Sequence, residues 1–509
     1  MGFLLALASN IATIAAVAPL LYLAIRLFYN CFLHPLRGYP GPLLWRISPL
    51  PRAWAQCRGT LAFDVARFQR RYGPVLRIGP SELAFVSDDA WKSIYGHRGA
   101  GEEENPKDLR FYRLSNNIPH SILSVGRAEH GLLRRQLAYG FSERSLRSQE
   151  GIIGGYVDLL VRRLRENCDN GNAALNMREW YNWTTFDIIG NLGFGSDFQC
   201  LEKSTYSPWI RVITDTIKQG AWLQAIAYIG LEGVARWIIS LAMASFQGHQ
   251  TLSRHKVEQR IQLGKQRERF DFLDGLIKQH RREGKKLALT RGDRQGLSVP
   301  ELASNANSII IAGSETTATL LSGATYLLTT HPAVLKRLAN EVRSTFRSEE
   351  EITLLSVQRL PYMLACLNES LRKYPPVAVG LPRKSPSGGT LIAGNLIPEG
   401  TSMAVWQWAI NHTSEYWADP FSFEPERWTG ENPKFAGDHL DAMQPFSVGP
   451  RNCIGRNLAY AEMRLILARI IYSFDMCLAD DSANWLEDQR CYILWDKPAL
   501  NIHLMPVSR

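Results

Sequence analysis

The sequence lacks the cysteine pattern of a disulfide scaffold or a zinc ribbon. Its eight cysteines are spread over 509 residues, and no two of them form a Cys-x-x-Cys pair. Small secreted scaffolds and zinc ribbons need cysteines that are dense or regularly spaced. Both classes are therefore disfavoured, and any cysteine chemistry must belong to single residues in particular surroundings.

Repeats, low-complexity tracts and nucleic-acid-binding motifs are also missing. The formal net charge of +10 is compatible with nucleic-acid binding. However, the basic stretch from Arg254 to Arg294 does not interleave aromatic and basic residues as a single-strand binder does, and no zinc-finger or RNP pattern occurs. We therefore expect no nucleic-acid partner and interpret this stretch as a solvated helical face.

The N-terminal segment has no charged residue between Gly2 and Ile25. As a helix rising about 1.5 Å per residue, it would cover roughly 36 Å, which is enough to cross a bilayer core of about 30 Å. The segment is longer than the apolar region of a secretory signal and has no basic start, so a retained anchor is favoured over a cleaved signal. Basic residues follow from Arg26 onward, and this places the body of the chain in the cytosol.

Three segments are predicted from this pattern. Residues 1–28 form the membrane anchor, residues 29–42 form a proline-rich hinge, and residues 43–509 form one large globular body. Proline rings fix the backbone and remove amide donors, so the segment Pro35–Pro42 of the hinge is expected to be stiff and non-helical. The apolar stretch from Trp222 to Phe246 contains charges, which favours an amphipathic helix pair at a membrane surface over a second span.

The body is predicted to be mainly α-helical with small β-sheets. Val75–Ile78 and Leu83–Val86 have the composition of short strands. Ser298 and Glu301 form a capping box at the start of a long helix, which we expect to end at His331 before a proline.

The segment Phe446-Ser-Val-Gly449-Pro-Arg451-Asn-Cys453-Ile-Gly455 carries the strongest chemical signal. Amide groups after Cys453 and the positive end of the following helix would stabilise a thiolate. Gly449 and Gly455 permit a positive φ or the close approach of a flat ligand. The alternative is a glycine-punctuated turn that holds a structural cysteine before a buried helix.

This segment resembles the haem-binding loop of the cytochrome P450 family, Phe-x-x-Gly-x-Arg-x-Cys-x-Gly, at every defined position. The resemblance implies a cytochrome P450 fold with an N-terminal transmembrane helix and a haem-thiolate catalytic domain at residues 43–509. It implies haem b as cofactor, with Cys453 as the axial ligand of the haem iron. It further implies that Arg451 lies at a haem propionate and that Phe446 packs near the sulfur.

Two further segments resemble structural motifs of the same family. Glu369-Ser-Leu-Arg372 resembles its Glu-x-x-Arg motif, and Pro425-Glu-Arg427-Trp428 resembles its Pro-Glu-Arg-Phe segment with Trp in place of Phe. Residues three apart on a helix share one face, so Glu369 and Arg372 can pair. The resemblance implies that Glu369, Arg372 and Arg427 form a buried structural network behind the haem.

The long helix carries Ala312-Gly313-Ser314-Glu315-Thr316-Thr317, which resembles the oxygen-activation motif of the family. Ala312 and Gly313 would leave room for dioxygen, and a hydroxyl bonded to the preceding turn would distort the helix there. The resemblance implies that Thr316 hydrogen-bonds the activated oxygen and that Glu315 relays protons to it. Without the cysteine motif, a seam of small residues between helices would be the default interpretation.

Two more segments resemble propionate-binding segments. His130 stands where the family usually has Trp, and Arg134 follows in the position of the propionate partner. Arg383, in Gly380-Leu-Pro-Arg383, matches another arginine of this kind. Arginine–carboxylate pairing at several points would explain the burial of a dianionic cofactor edge.

The resemblance implies a fungal monooxygenase of secondary metabolism that oxidises a lipophilic small molecule with O2. No flavin or nicotinamide motif is present, so the electrons must come from a separate protein. The resemblance implies that this protein is an NADPH-dependent reductase, with cytochrome b5 as a further partner. The expected location is the endoplasmic reticulum membrane, with a single span and a cytosolic catalytic domain. The alternative is a haem-thiolate isomerase, dehydratase or oxidative coupling enzyme without net oxygen insertion.

Overall fold

The computed structural model describes residues 17–99, 102–113, 119–206, 208–263, 271–277 and 297–508. Residues 17–28 are helical and run into a π-helix at Tyr29–Leu33. Residues 1–16 of the predicted anchor lie outside the described residues. Within the described ranges, no helix is both long enough and apolar enough to cross a membrane. The anchor therefore stays a prediction.

The described chain is mainly helical, as the sequence indicated. The longer helices are Leu61–Tyr72, Arg127–Ala138, Glu150–Asn167, Met177–Phe194, Pro208–Tyr228, Glu232–Leu263, Val299–Thr330, Pro332–Thr345, Pro361–Lys373 and Arg456–Ser473. The shorter helices are Leu43–Ile47, Leu50–Cys57, Asp89–Tyr95, Leu109–Tyr112, Glu143–Ser148, Cys200–Lys203 and Gln407–Asn411. Single 3₁₀ turns lie at Asp169–Gly171, Glu349–Glu351, Ser356–Arg359, Pro425–Arg427, Pro433–Phe435, Leu440–Ala442, Gly449–Arg451 and Asp480–Ser482.

The strands are short and form small, separate sheets. They are β1 (Val75–Gly79), β2 (Glu82–Phe85), β3 (Ala174–Asn176), β4 (Arg383–Lys384), β5 (Thr390–Ile392), β6 (Asn395–Ile397), β7 (Ser402–Val405), β8 (Phe474–Leu478), β9 (Arg490–Cys491), β10 (Trp495–Asp496) and β11 (Asn501–Pro506). The strand orders are β1-β2-β7-β4, β3-β11-β8, β5-β6 and β9-β10. Only the β2-β7 pairing is parallel among those described. The predicted strands at 75–78 and 83–86 are confirmed as the hairpin β1-β2.

Val299–Thr330, which we call the central helix, begins at the predicted capping box. The Ser298 hydroxyl accepts from the Glu301 amide at 3.4 Å, and the Glu301 carboxylate accepts from the Ser298 amide at 2.8 Å. The helix ends before His331, as predicted. Most of its side chains from residue 314 onward are buried. It packs along Met177–Phe194 and against Arg456–Ser473, so it runs through the core and next to the cysteine segment.

The cysteine segment is held at the start of the buried helix Arg456–Ser473. Gly455 is the N-cap of this helix, whose side chains are nearly all buried from Leu465 to Ser473. The helix packs on the central helix and on Glu150–Asn167. The cysteine is therefore fixed to the core by its own helix, and it faces the central helix across a cavity.

Candidate active site

A cavity of about 320 Å³ lies between the cysteine segment and the central helix. It brings together most of the residues that the sequence singled out. The predicted residues that line it are His130, Arg134, Ala312, Gly313, Thr316, Arg383, Phe446, Arg451, Cys453 and Gly455. Its other walls are mainly apolar, and they include Ile122, Ile189, Ile309, Val377, Val379 and Leu381.

Cys453 lies deep in the protein, but its side chain is exposed because it faces this cavity. Its amide donates to the Phe446 carbonyl at 2.8 Å, which closes the loop around the sulfur. Burial raises the pKa of the Cys453 thiol, whereas the Gly455 amide and the cations of Arg134 and Arg456 favour the thiolate. The sulfur therefore faces the cavity, where it can bind a metal ion. The positive charge of that metal would offset the cost that burial imposes on the thiolate.

The two glycines of the segment have different structural roles. Gly449 has φ +75°, and a Cβ there would lie 2.1 Å from the Tyr95 carbonyl oxygen, so a side chain is excluded. Gly455 has φ −87°, and its added Cβ would lie 3.9 Å from the Cys453 sulfur. Gly449 therefore serves the turn, whereas a Cβ at Gly455 would make only ordinary van der Waals contact with the sulfur.

The central helix presents small and hydroxyl side chains to the cavity. The Thr316 hydroxyl donates to the Ala312 carbonyl at 2.6 Å, one turn earlier, which is the expected bond to the preceding turn. An added Cβ at Gly313 would lie 2.7 Å from the Ile189 side chain. A side chain at this position would therefore require Ile189 to move, and the role of Gly313 in making room for dioxygen stays a prediction.

Glu315 does not line the cavity. Its side chain is buried and forms an ion pair with Lys497. Lys497 also donates to the Thr319 hydroxyl at 2.6 Å, and the second carboxylate oxygen of Glu315 has no partner within the described residues. The predicted acid lies one position from Thr316 but in a separate buried pair, so its role as a proton relay stays a prediction.

Four cationic side chains line the cavity, and no carboxylate does so among the described residues. They are Lys107, Arg134, Arg383 and Arg451. Lys107 comes close because it forms an isolated β-bridge with Arg383. Burial lowers the pKa of Lys107 well below its ordinary value, and Arg383 and Arg451 lower it further. Among the described residues, the cavity lining therefore contains no negative charge that balances these four cations.

Arg451 and Arg134 each have partners behind the cavity wall. Arg451 forms a bidentate pair with Glu104, at 2.6 and 3.3 Å, and donates to the Val125 carbonyl at 3.1 Å. Burial opposes ionisation of Glu104, but Arg451 outweighs it and the pKa of Glu104 is lowered. Arg134 donates to the backbone carbonyl of Asn452 at 2.6 Å. Arg134 therefore supports the residue that precedes the cysteine.

Arg383 is a buried cation without a carboxylate partner among the described residues. It is 5% exposed, and its Nε has no hydrogen-bond partner within the described residues. The Tyr95 ring lies 5.5 Å from the guanidinium carbon, and Tyr112 and Glu104 also favour the charged form. Burial lowers the pKa of Arg383, and the Arg451 cation acts in the same direction. A buried cation in this state is stabilised by an anion placed in the cavity.

His130 lies among these cations with 7% exposure. Burial lowers the pKa of His130 to about 4, with further contributions from Arg451 and Lys107. The imidazole is therefore neutral near pH 7, and it adds no positive charge to the cluster.

These residues fit a flat metal cofactor with an anionic edge. The cysteine offers a soft ligand for iron, and the cations offer partners for two carboxylates. Arg383, whose Nε has no hydrogen-bond partner within the described residues, lines the cavity and is placed to pair with such a carboxylate. Haem has this combination of a central metal and carboxylates at one edge, so the residues present fit it.

A second charged cluster lies outside the cavity and is complete in itself. Glu369 accepts from Arg372 at 2.7 and 2.9 Å and from Arg427 at 3.2 Å. Arg427 also pairs with Asp438. The Trp428 indole donates to Glu369 at 3.0 Å. Trp428 therefore adds a hydrogen bond that the Phe usual at this position could not make.

Sequence reasoning missed three residues that shape the site. Glu104 and Lys107 lie more than 340 and 270 residues before their partners Arg451 and Arg383, respectively, and no local motif marks them. Lys497 lies 182 residues after Glu315. Only the requirement that a buried charge has a partner could have indicated that such residues exist.

The comparisons with known proteins agree with this geometry. The family described as cytochrome P450 matches residues 38–503. The chain is 45% identical to cytochrome P450 monooxygenase tpeC of Talaromyces stipitatus, over 98% of this chain and 95% of that protein. It is 42% identical to the trichothecene C-15 hydroxylase of Fusarium sporotrichioides, over 96% of each chain. It is also 42% identical to the averantin hydroxylase of Dothistroma septosporum, over 98% of this chain and 92% of that one.

A thiol and a cluster of undercompensated cations share one cavity, and the family match covers nearly the whole chain. The sequence-based predictions of a cytochrome P450 fold and of a haem cofactor are therefore confirmed. The chain belongs to the cytochrome P450 family and is a haem-dependent monooxygenase of the kind found in fungal secondary metabolism.

Proposed function

We propose that this monooxygenase hydroxylates a lipophilic intermediate of fungal secondary metabolism, using O2 and electrons from NADPH delivered by a separate reductase. The relatives named for trichothecene C-15 and averantin hydroxylation support hydroxylation as the reaction. The mainly apolar walls above the cysteine support a lipophilic substrate, because they offer few polar partners.

When bound, haem b would supply the activation of O2. Cys453 would hold its iron, and Arg134, Arg383, Arg451 and Lys107 would bind its propionates through charge-assisted hydrogen bonds. These contacts would hold the cofactor in the cavity between the cysteine segment and the central helix.

The central helix would control proton supply on the other side. The Thr316 hydroxyl faces the cavity and already donates to Ala312, so its oxygen can accept a second hydrogen bond. Glu315 is the nearest acid in sequence, and Lys497 holds it in its buried position. We infer that Thr316 positions the proton donor and that Glu315 replenishes it.

We also propose a docking face for the reductase, or for cytochrome b5, beside the cysteine segment. The helix Arg127–Ala138 approaches Cys453 through Arg134 and Asn452. Arg135, Arg144 and Arg456 are exposed nearby along the chain. A basic surface of this kind attracts an acidic redox partner.

We propose that residues 1–28 anchor the chain in the endoplasmic reticulum membrane, with the catalytic domain in the cytosol. The described part of this segment leaves large apolar side chains exposed, including Leu20, Ile25 and Phe28. A membrane would cover them.

The observation that carries the proposal is that Cys453, Thr316 and the four cations line one cavity. The test is to identify the substrate by metabolite profiling of a deletion strain, and then to supply it to the purified chain with NADPH, reductase and labelled O2. We expect one labelled oxygen atom in the product, with full dependence on the reductase. Cys453→Ala should abolish the reaction and the red-shifted carbon monoxide band of thiolate-bound haem. Unlabelled product would contradict hydroxylation.

A further inference from the structure

A second large concavity lies on the surface, outside the active site. This groove, of about 620 Å³, lies between the helices Leu50–Cys57 and Leu61–Tyr72. Its walls include the aromatic side chains of Trp45, Trp54 and Phe63. The volume falls within the range of about 300–1,000 Å³ that is typical of ligand sites. None of the described residues that line this groove also lines the active-site cavity.

The groove carries an excess of positive charge. Arg58, Arg67 and Arg70 line it, together with one carboxylate, Asp64. Phe63, Arg67 and Arg70 are spaced four and three residues apart, so they share one face of their helix.

The single carboxylate is already engaged. Asp64 accepts from the Thr60 hydroxyl at 2.9 Å and pairs with Arg67. Among the described residues, neither Arg58 nor Arg70 has a carboxylate partner. Two guanidinium groups in the groove are therefore available to an anion.

The rim of the groove is unusually apolar for an exposed surface. Trp54 is 66% exposed, and the neighbouring Leu44 and Leu50 are 65% and 59% exposed. Tryptophan side chains are enriched where a membrane meets water, and arginine side chains reach headgroups from the same depth. This rim belongs to the same N-terminal region as the exposed apolar side chains of residues 17–33.

We propose that this groove binds the headgroup of an anionic phospholipid, with Arg58 and Arg70 on the phosphate and Trp54 at the acyl boundary. Guanidinium groups bind phosphate oxygens in bidentate geometry, and the aromatic walls exclude water beside them. The proposal rests on the membrane attachment proposed above. It adds a selectivity of the groove for anionic over neutral lipid headgroups, which an apolar anchor alone does not have.

The test uses the full-length chain in detergent micelles that contain equal amounts of phosphatidylcholine and phosphatidylserine. Native mass spectrometry then reads which lipid stays bound. Each basic group near an anionic surface contributes about 1 kcal/mol. The two available arginines therefore predict a retained serine-to-choline lipid ratio of roughly thirtyfold. Arg58→Gln with Arg70→Gln should bring this ratio close to one.

The matched control is Arg347→Gln with Arg359→Gln, which removes two exposed arginines outside the groove. It should keep the lipid preference, and both variants should keep the haem spectrum of the parent. Loss of the preference in the control pair would mean that general charge is responsible and would overturn the site. Equal retention of both lipids by the parent would overturn the site alone. Failure of the parent to float with phosphatidylcholine vesicles would overturn the membrane attachment itself.

Discussion

Two arginine-rich clusters in this chain differ in how completely their charges are neutralised. In the network around Glu369, each guanidinium has carboxylate and carbonyl partners within hydrogen-bond distance. In the cavity, four cations face one another, and only Arg451 has a carboxylate partner in the described chain. The charges of the Glu369 network are paired within the protein, whereas the cavity cluster needs an anion from outside to balance it.

This difference separates a structural role from a binding role without reference to sequence motifs. Burying a charge is costly unless it is paired, so an incompletely paired cluster persists only if a ligand completes it. The orphaned Arg383 Nε and the lowered pKa of Lys107 mark the cavity cluster as such a case.

The largest effect on stability is expected when the fully paired Glu369 network loses its carboxylate. Glu369→Ala would leave Arg372 and Arg427 buried with a missing partner, which should cost about 3–5 kcal/mol in the free energy of unfolding. Urea unfolding followed by circular dichroism measures this loss. The control is Glu399→Ala, which removes an exposed carboxylate and should change stability by less than about 0.5 kcal/mol. A small loss at Glu369 would mean that the network does not stabilise the fold.

In the cavity we expect the opposite result, a loss of haem binding without a loss of stability. Arg383→Gln removes a buried cation that has little compensation, so the folded chain should lose no stability. Haem binding should weaken, because a hydrogen bond to a charged group contributes about 1.5–3 kcal/mol, and the rate of haem loss to a scavenger protein should rise roughly 10- to 100-fold. Arg337→Gln, at a surface ion pair, is the control and should leave this rate unchanged. If Arg383→Gln unfolds the chain but keeps the haem, the two clusters do not differ in kind.

The sequence predicted the local part of this picture. The hairpin β1-β2 and the capping box of the central helix follow from alternation and end signals within a few residues. Cys453 and Glu369 stand in short motifs with fixed spacing. The positions of Glu104, Lys107 and Lys497 could not be predicted, because their partners lie 180 or more residues away and only the packed fold brings them together.

A smaller loss of stability is expected when only one hydrogen bond to the Glu369 carboxylate is removed. Trp428→Phe restores the residue that the family motif usually has but removes the indole donor from Glu369. We expect a loss of about 1.5 kcal/mol, because the acceptor is charged and buried. Trp54→Phe, on an exposed tryptophan, serves as control. Equal unfolding midpoints for Trp428→Phe and the parent would show that Arg372 and Arg427 alone satisfy the carboxylate.

The smallest effect concerns how the stability of the haem-free chain depends on pH through His130, which lies among the cavity cations. In the chain without haem, the pKa of His130 is lowered to about 4, from an ordinary value of 6.5, so the folded state resists protonation. Its contribution to stability is complete above pH 6.5 and is lost as the pH falls from 6.5 toward 4. Between pH 7 and pH 5, the free energy of unfolding of the haem-free chain should fall by on the order of 1 kcal/mol more than in His130→Gln.

Haem should reduce this difference, because propionates beside Arg451 and Lys107 would offset the cations that lower the His130 pKa. The measurement is therefore the slope of stability against pH for the parent and for His130→Gln, each with and without haem. A difference in slope that is the same with and without haem would mean that no anion enters the cluster. The cavity cations would then be a structural feature like the Glu369 network, and the distinction between the two clusters would fail.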